Sequence, residues 1–228
     1  MAIALGGLHK NKVFHQDIKP SNLLVFKGGE ENKLGDLGRS HAETLISPIA
    51  SMKAPGDLKY APPEQLYMYV SADDFERRAA GDLYLLGSML FFFFCGHMLT
   101  PALLSFLADE HRPLNARTGQ GWRGNGRDVI PYLEDAYARC IVELENALNA
   151  EVPAHLRTKL IPETISVFRM LTNPAPELRG HPLNRAGRNA NNLGIERFVS
   201  IFDRLGRYAG LMGSANAKGE PRRVCRRL

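Results

Sequence analysis

Residues 13–38 read VFHQDIKPSNLLVFKGGEENKLGDLG, and their order decides how the chain folds. Pro20 stops any helix arriving from the first dozen residues, because it lacks an N–H and holds Lys19 before it in extended backbone. Leu23 to Phe26 is a short apolar run of β character. Gly28-Gly29 and the polar Glu30-Glu31-Asn32 form a turn, and Lys33-Leu34 starts a return strand. The expected unit is a small hairpin flanked by polar loops, with Asp17, Asn22 and Asp36 near its ends.

Outward from the hairpin, residues 39–59 have little periodicity and much Ser, Pro, Gly and Ala, which predicts a long surface loop. Beyond it the chain reads as helical. Pro62-Pro63-Glu64 opens a short helix, with proline where the first turn tolerates it. Asp82 heads a strongly apolar helix, LYLLGSMLFFFFCG over 83–96, too short to span a bilayer, which needs roughly 20 residues, and suited to a buried core. His97 and Pro101 break the rest of the apolar stretch. Residues 112–127, rich in Gly and Arg, read as a loop. Val129, Leu133, Tyr137 (or Ala136), Cys140, Leu144 and Leu148 form one stripe of an amphipathic helix with Asp128 as N-cap. Pro153 and Pro162 bound a short helical piece, and a further one runs from Glu163 to Leu171. Ile195, Phe198, Val199, Phe202 and Leu205 mark a last helix. The fold class is mainly α, a helical bundle with one small β-hairpin, over residues 1–210, with a basic tail over 211–228.

The composition, 44% hydrophobic and 23% charged in 228 residues, is enough for a buried core and excludes wholesale disorder. The net charge of +5 could suit an anionic partner, but Arg222, Arg223, Arg226 and Arg227 concentrate it at the end, where a solvated tail explains it better than nucleic acid or lipid. Neither a nucleic-acid partner nor membrane insertion is expected. Cys95, Cys140 and Cys225 are odd in number and far apart, which supports neither a disulfide framework nor a zinc site. The start, MAIALGGLHKNK, has no basic segment before its apolar stretch and no extended apolar core, so a signal peptide is not expected and a cytoplasmic location fits.

Three polar clusters set the sequence apart from a generic helical domain: HQDIKPSN over 15–22, Asp36-Leu37-Gly38, and Pro62-Pro63-Glu64. Phosphoryl transfer asks a protein chiefly to position groups and neutralise charge. One carboxylate must reach the attacking hydroxyl. A second carboxylate and an amide oxygen suit Mg²⁺, a cation that takes oxygen ligands, and a lysine supplies positive charge to the migrating group.

In these residues the chain resembles a Hanks-type (eukaryotic-like) serine/threonine protein kinase from its catalytic loop onward, that is, the carboxy-terminal lobe. The family pattern is H-R-D-x-x-x-x-N, then D-F-G, then A-P-E. The resemblance implies Asp17 as catalytic base, Lys19 as contact to the phosphoryl group, and Asn22 and Asp36 as ligands of Mg²⁺ and hence of ATP. Lys19-Pro20 matches the serine/threonine version, and Leu37 replaces Phe in a swap that should keep its packing role. GDLKYAPPE over 56–64 resembles the segment ending in A-P-E. DLYLLG over 82–87 resembles the start of the central helix, whose aspartate ties down the catalytic loop. Structural roles are implied for His15, for Asp82, and for Glu64 paired with Arg179. Each match alone is weak, since Asp-Leu-Gly is usually a turn and Asp82 could be an N-cap. Their order along about residues 5 to 210 makes the joint signal specific.

Departures matter too. Gly119, Gly121 and Gly124 satisfy G-x-G-x-x-G but follow no strand, and a loop is the better reading. No glycine loop, lysine strand or αC glutamate precedes Met1, so the amino-terminal lobe is expected to be absent and the lone chain to bind nucleotide weakly. That leaves three readings: a truncated enzyme, one completed by a separate lobe or partner chain, or a non-catalytic pseudokinase-like binding module. A small-molecule phosphotransferase is disfavoured by Lys19-Pro20 and the A-P-E-like segment. Gln16 stands where the family often has arginine, so phosphorylation of the loop at Ser47 or Ser51 is not expected to be the switch. Asp57 replaces a common threonine, which leaves substrate preference open among protein substrates.

Overall fold

The first helix, α1 (Ala2–Lys10), puts Leu5 and His9 on one buried stripe, one turn apart. It ends where Lys12 takes a positive φ of 56°. The chain then enters the two-residue strand β1 (Val13–Phe14). Strands β2 (Leu23–Phe26) and β3 (Glu31–Leu34) form the expected antiparallel hairpin, in the register Leu23↔Leu34 to Phe26↔Glu31. The return strand therefore starts at Glu31, inside what reads as turn, because Glu31 and Asn32 face Phe26 and Val25 across the ladder.

These are features of a computed structural model that describes residues 1–27, 31–42, 52, 54–186 and 193–216, with side chains as far as 210. The Gly28-Gly29-Glu30 turn, Ser47, Ser51 and the arginine tail with Cys225 lie outside the described residues.

The segment expected to be all loop contains a strand, β4 (His41–Ala42), which pairs antiparallel with β1 through Phe14↔His41. Two residues have no periodicity to read, and the pairing is supplied by a partner far away in sequence. Helix α2 (Pro63–Leu66) comes next, and then α3 (Asp74–Cys95). Asp82 does not head α3. The helix begins two turns earlier, capped by Asp73, whose side chain accepts the Glu76 N–H at 2.6 Å. It ends on Gly96 at φ 80°, the left-handed residue that commonly closes a helix. By length and composition α3 could cross a bilayer, but 72% of its most apolar window is buried inside the protein.

The remaining helices are α4 (Leu99–Ser105), α5 (Ile130–Glu151), α6 (Ala154–Thr172), α7 (Pro182–Arg185) and α8 (Ile195–Asn216). The stripe Val129, Leu133, Ala136, Tyr137, Cys140, Leu144 and Leu148 is buried throughout. Asp128 does not cap α5. It lies in a preceding 3₁₀ turn whose cap is Asn125, accepting the Arg127 N–H. Nor does Pro162 divide the next segment, for α6 runs through it. Leu156, Leu160 and Ile161 before it, and Val167, Phe168 and Leu171 after it, are all buried, and this packing outweighs one lost hydrogen bond.

Helix α3 is the axis of the body, packed on α4, α5 and α6, while α1 lies against α8 and α5 against α6. Where α3 meets α6, a Cβ on Gly87 would stand 2.2 Å from Thr172 Cγ2, so glycine sets the approach of the two backbones. Leu23 and Leu34 at the base of the hairpin pack against this core, while Leu24, Val25 and Phe26 are 46%, 59% and 43% exposed.

Candidate active site

The loop between β1 and β2 is built on Asp82. Its carboxylate, fully buried in α3, accepts the backbone N–H of His15 at 2.8 Å and that of Gln16 at 2.7 Å. A third donor is His9 Nε2 on α1, 2.8 Å from Oδ2. A buried carboxylate with three donors is compensated, and here the compensation fixes a loop onto a helix. His9 is absent from the site expected from sequence. The signal for it is a polar ring four residues after Leu5 on a buried helix face, which needs a partner.

His15 connects the two loops of the site. Its Nε2 donates to the Gly35 carbonyl at 3.0 Å, leaving Nδ1 to accept the Asp17 N–H at 3.3 Å. Asp17, 4% exposed, is surrounded by hydrogen-bond donors. Lys19 Nζ is 3.0 Å from its Oδ2, Asn22 Nδ2 donates to the same oxygen at 3.3 Å and to the Asp17 carbonyl at 2.7 Å, and the Asp57 N–H donates to Oδ1 at 3.1 Å. With Nδ2 engaged by Asp17, the Asn22 amide keeps Oδ1 for another partner; Ser21 Oγ lies 3.5 Å from it.

Asp36 joins this group through backbone. The Gly35 N–H donates to the Asn22 carbonyl at 2.8 Å, which sets the next residue beside the loop. Asp36 has φ 57°, a left-handed conformation costly for a side chain with a Cβ. Its Oδ1 accepts the Gly38 N–H at 3.2 Å while the residue stays exposed. Leu37 departs from expectation: it is 50% exposed on a three-residue 3₁₀ turn and does not pack into the described core.

Asn22 Oδ1 and the Asp36 carboxylate are the oxygens that could hold a cation. Among the described residues no three His, Cys, Asp or Glu side chains cluster for a metal. Two protein oxygens completed by phosphates and water is the usual provision for Mg²⁺, so the donor set fits that ion.

Glu64 and Arg179 form a separate unit. Arg179 Nη1 and Nη2 reach the two carboxylate oxygens at 2.6 and 2.7 Å, and both residues are almost wholly buried. Burial would lower the guanidinium's hold on its proton, but the Glu64 charge and hydrogen bonds keep it above the ordinary value. Nη1 also donates to the Ala80 carbonyl at 3.1 Å, and the guanidinium lies over the Tyr84 ring, tying α2 to α3. Near Gly119, Gly121 and Gly124, the Arg123 side chain donates to the Gly119 carbonyl at 2.5 Å and a Cβ on Gly121 would strike Arg112 O and Pro113 O. That stretch is a folded loop remote from Asp17 in sequence and follows no strand.

A helical lobe whose central helix anchors a His-x-Asp-x-Lys-Pro-x-Asn loop beside an Asp-Leu-Gly turn defines the protein-kinase class. Residues 1–111 match the family model of the protein kinase domain. The chain is 38% identical over 144 residues to an aurora kinase of Dictyostelium discoideum, covering 62% of this chain and 33% of that one. It is 32% and 30% identical over 98 residues to calcium and calcium/calmodulin-dependent serine/threonine-protein kinases of Oryza sativa subsp. japonica and Lilium longiflorum, covering 42% of this chain and 17% of each. Over residues 1–111 the chain is therefore similar to the protein kinase domain. It spans a third or less of the length of these relatives.

Proposed function

We propose that the chain carries the phosphoryl-transfer face of a serine/threonine protein kinase, which moves the γ-phosphate of ATP onto protein hydroxyls. One observation supports this above the others: the Asp17 carboxylate is oriented by Lys19, Asn22 and the Asp57 N–H at 3.0, 3.3 and 3.1 Å. A carboxylate so held can accept the hydroxyl proton as the oxygen attacks phosphorus and ADP leaves. Lys19 stands where it can pass from Asp17 to the migrating phosphoryl group. Asn22 and Asp36 would hold Mg²⁺, which supplies charge neutralisation at the phosphates. The other side of the nucleotide would come from a second lobe, either in the same polypeptide or as a partner chain.

The test is phosphate transfer from ATP to a basic protein substrate, comparing the parent with Asp17→Asn and Asp36→Ala. Each substitution is expected to lower the rate by about 10²–10⁴-fold. Equal rates in parent and variants would remove Asp17 and Asp36 from the chemistry.

A second reading, a non-catalytic pseudokinase-like binding module, is favoured by Lys19 Nζ lying 3.9 Å from Asp57 as well as 3.0 Å from Asp17. Two carboxylates there reduce the charge offered to a phosphate. Transfer by no form of the chain, with or without a second lobe, decides for this reading.

A further inference from the structure

Gln16, the residue before Asp17, sits at φ 62° and is held on three sides. Its N–H donates to Asp82 at 2.7 Å, its Nε2 donates to the Arg39 carbonyl at 3.1 Å, and its Oε1 accepts from Arg78 Nη1 at 2.7 Å. Arg78 lies in the first turns of α3 and is 3% exposed. A buried guanidinium needs a counter-charge, and Asp74, one turn earlier, provides it with Oδ2 at 2.8 Å from Nε. The connection continues through Arg39, whose Nη1 donates to the Pro55 carbonyl at 2.6 Å. Two residues on, the Asp57 N–H rests on Asp17 itself. Hydrogen bonds thus lead from Gln16 to Arg39 to Pro55 and, two residues along the backbone, from Asp57 to Asp17, where the peptide bond to Gln16 closes the ring; Arg78 and Asp74 brace it from α3.

We propose that Arg78 is a positioning residue for the transfer site: its guanidinium fixes Gln16, and through it Asp17 and the turn at Arg39, so that the loop holds its working conformation in the unphosphorylated chain. The role in transfer rests on the proposed function, whereas the latch itself does not. Arg78 touches no reacting atom. It acts by denying Gln16 the freedom to leave a backbone conformation that a residue with a Cβ resists.

The test is amide hydrogen exchange on the full chain after phosphatase treatment, reading peptides over residues 13–18 against those of α5 and α6. Arg78→Gln is expected to speed exchange in 13–18 by about tenfold or more, because a buried hydrogen bond to a charged group is lost, and to leave α5 and α6 unchanged. Asp74→Asn, at a half-exposed carboxylate and safe for folding, is expected to speed it about threefold, with Arg78→Lys between the two. Unchanged protection in all three variants overturns the proposal. So does protection in the parent that vanishes with phosphatase, or a loss spread evenly over every helix in Asp74→Asn. In a form that transfers phosphate, Arg78→Gln lowers kcat and leaves the KM for ATP in place. A loosened loop where no form transfers phosphate leaves the latch standing and removes the catalytic reading instead.

Discussion

The tightest approach around the Asp17 loop is at Gly56, where a Cβ would stand 2.3 Å from the Gln16 carbonyl oxygen. Gly56→Ala must push this segment off the loop and is expected to destabilise the protein by on the order of 1–3 kcal/mol in urea unfolding. An unchanged midpoint would mean that the segment does not press on Gln16. At this scale legibility depends on distance along the chain. Asp17, Lys19 and Asn22 share one loop, so their spacing alone brings them together. His9 and Arg78 reach their partners across 73 and 62 residues, and no local pattern names those partners.

Among the elements, α3 shows how a helix start can be mistaken. Its solid apolar run begins at Leu83, yet the polar DFERRAAG before it is helical as well, started by Asp73 with Glu76 three residues on. That capping pattern is readable in the sequence, but the hydrophobic run outweighs it. Helix α6 errs the other way, since Pro162 breaks the pattern without breaking the helix. The joint of α2 with α3 depends on the Glu64–Arg179 pair. Arg179→Met leaves a buried carboxylate alone and is expected to cost about 3–5 kcal/mol in urea unfolding, whereas Arg179→Met with Glu64→Leu should cost less. If the double variant is no more stable than the single one, the buried charge is not the source of the loss.

For the molecule as a whole, two paired carboxylates tie stability to pH. Burial alone would raise the Asp74 carboxyl, but the hydrogen bond and charge of Arg78, with Arg77 and His41, hold it below its ordinary 3.8. Burial likewise opposes, and the Arg127 hydrogen bond reverses, the shift at Glu177, which lies below its ordinary 4.5. A carboxylate depressed on folding stabilises the folded state above its unfolded pKa and ceases to do so as pH falls through the folded value. Urea midpoints should therefore be flat above about pH 5 with respect to these groups and fall below it. The acid slope should be shallower in Asp74→Asn, and an identical slope would show that the Arg78 pairing adds nothing. Residue order is enough to make the body helical, to set a hairpin near its start, and to say which polar residues share the loop at 15–22, because periodicity, proline and short-range spacing act over a few residues. What long-range contacts settle is that β4 closes on β1 and that His9, Arg78 and Arg39 brace the loop. Each of those depends on groups brought together by packing, and packing leaves no mark at the spacing of neighbours.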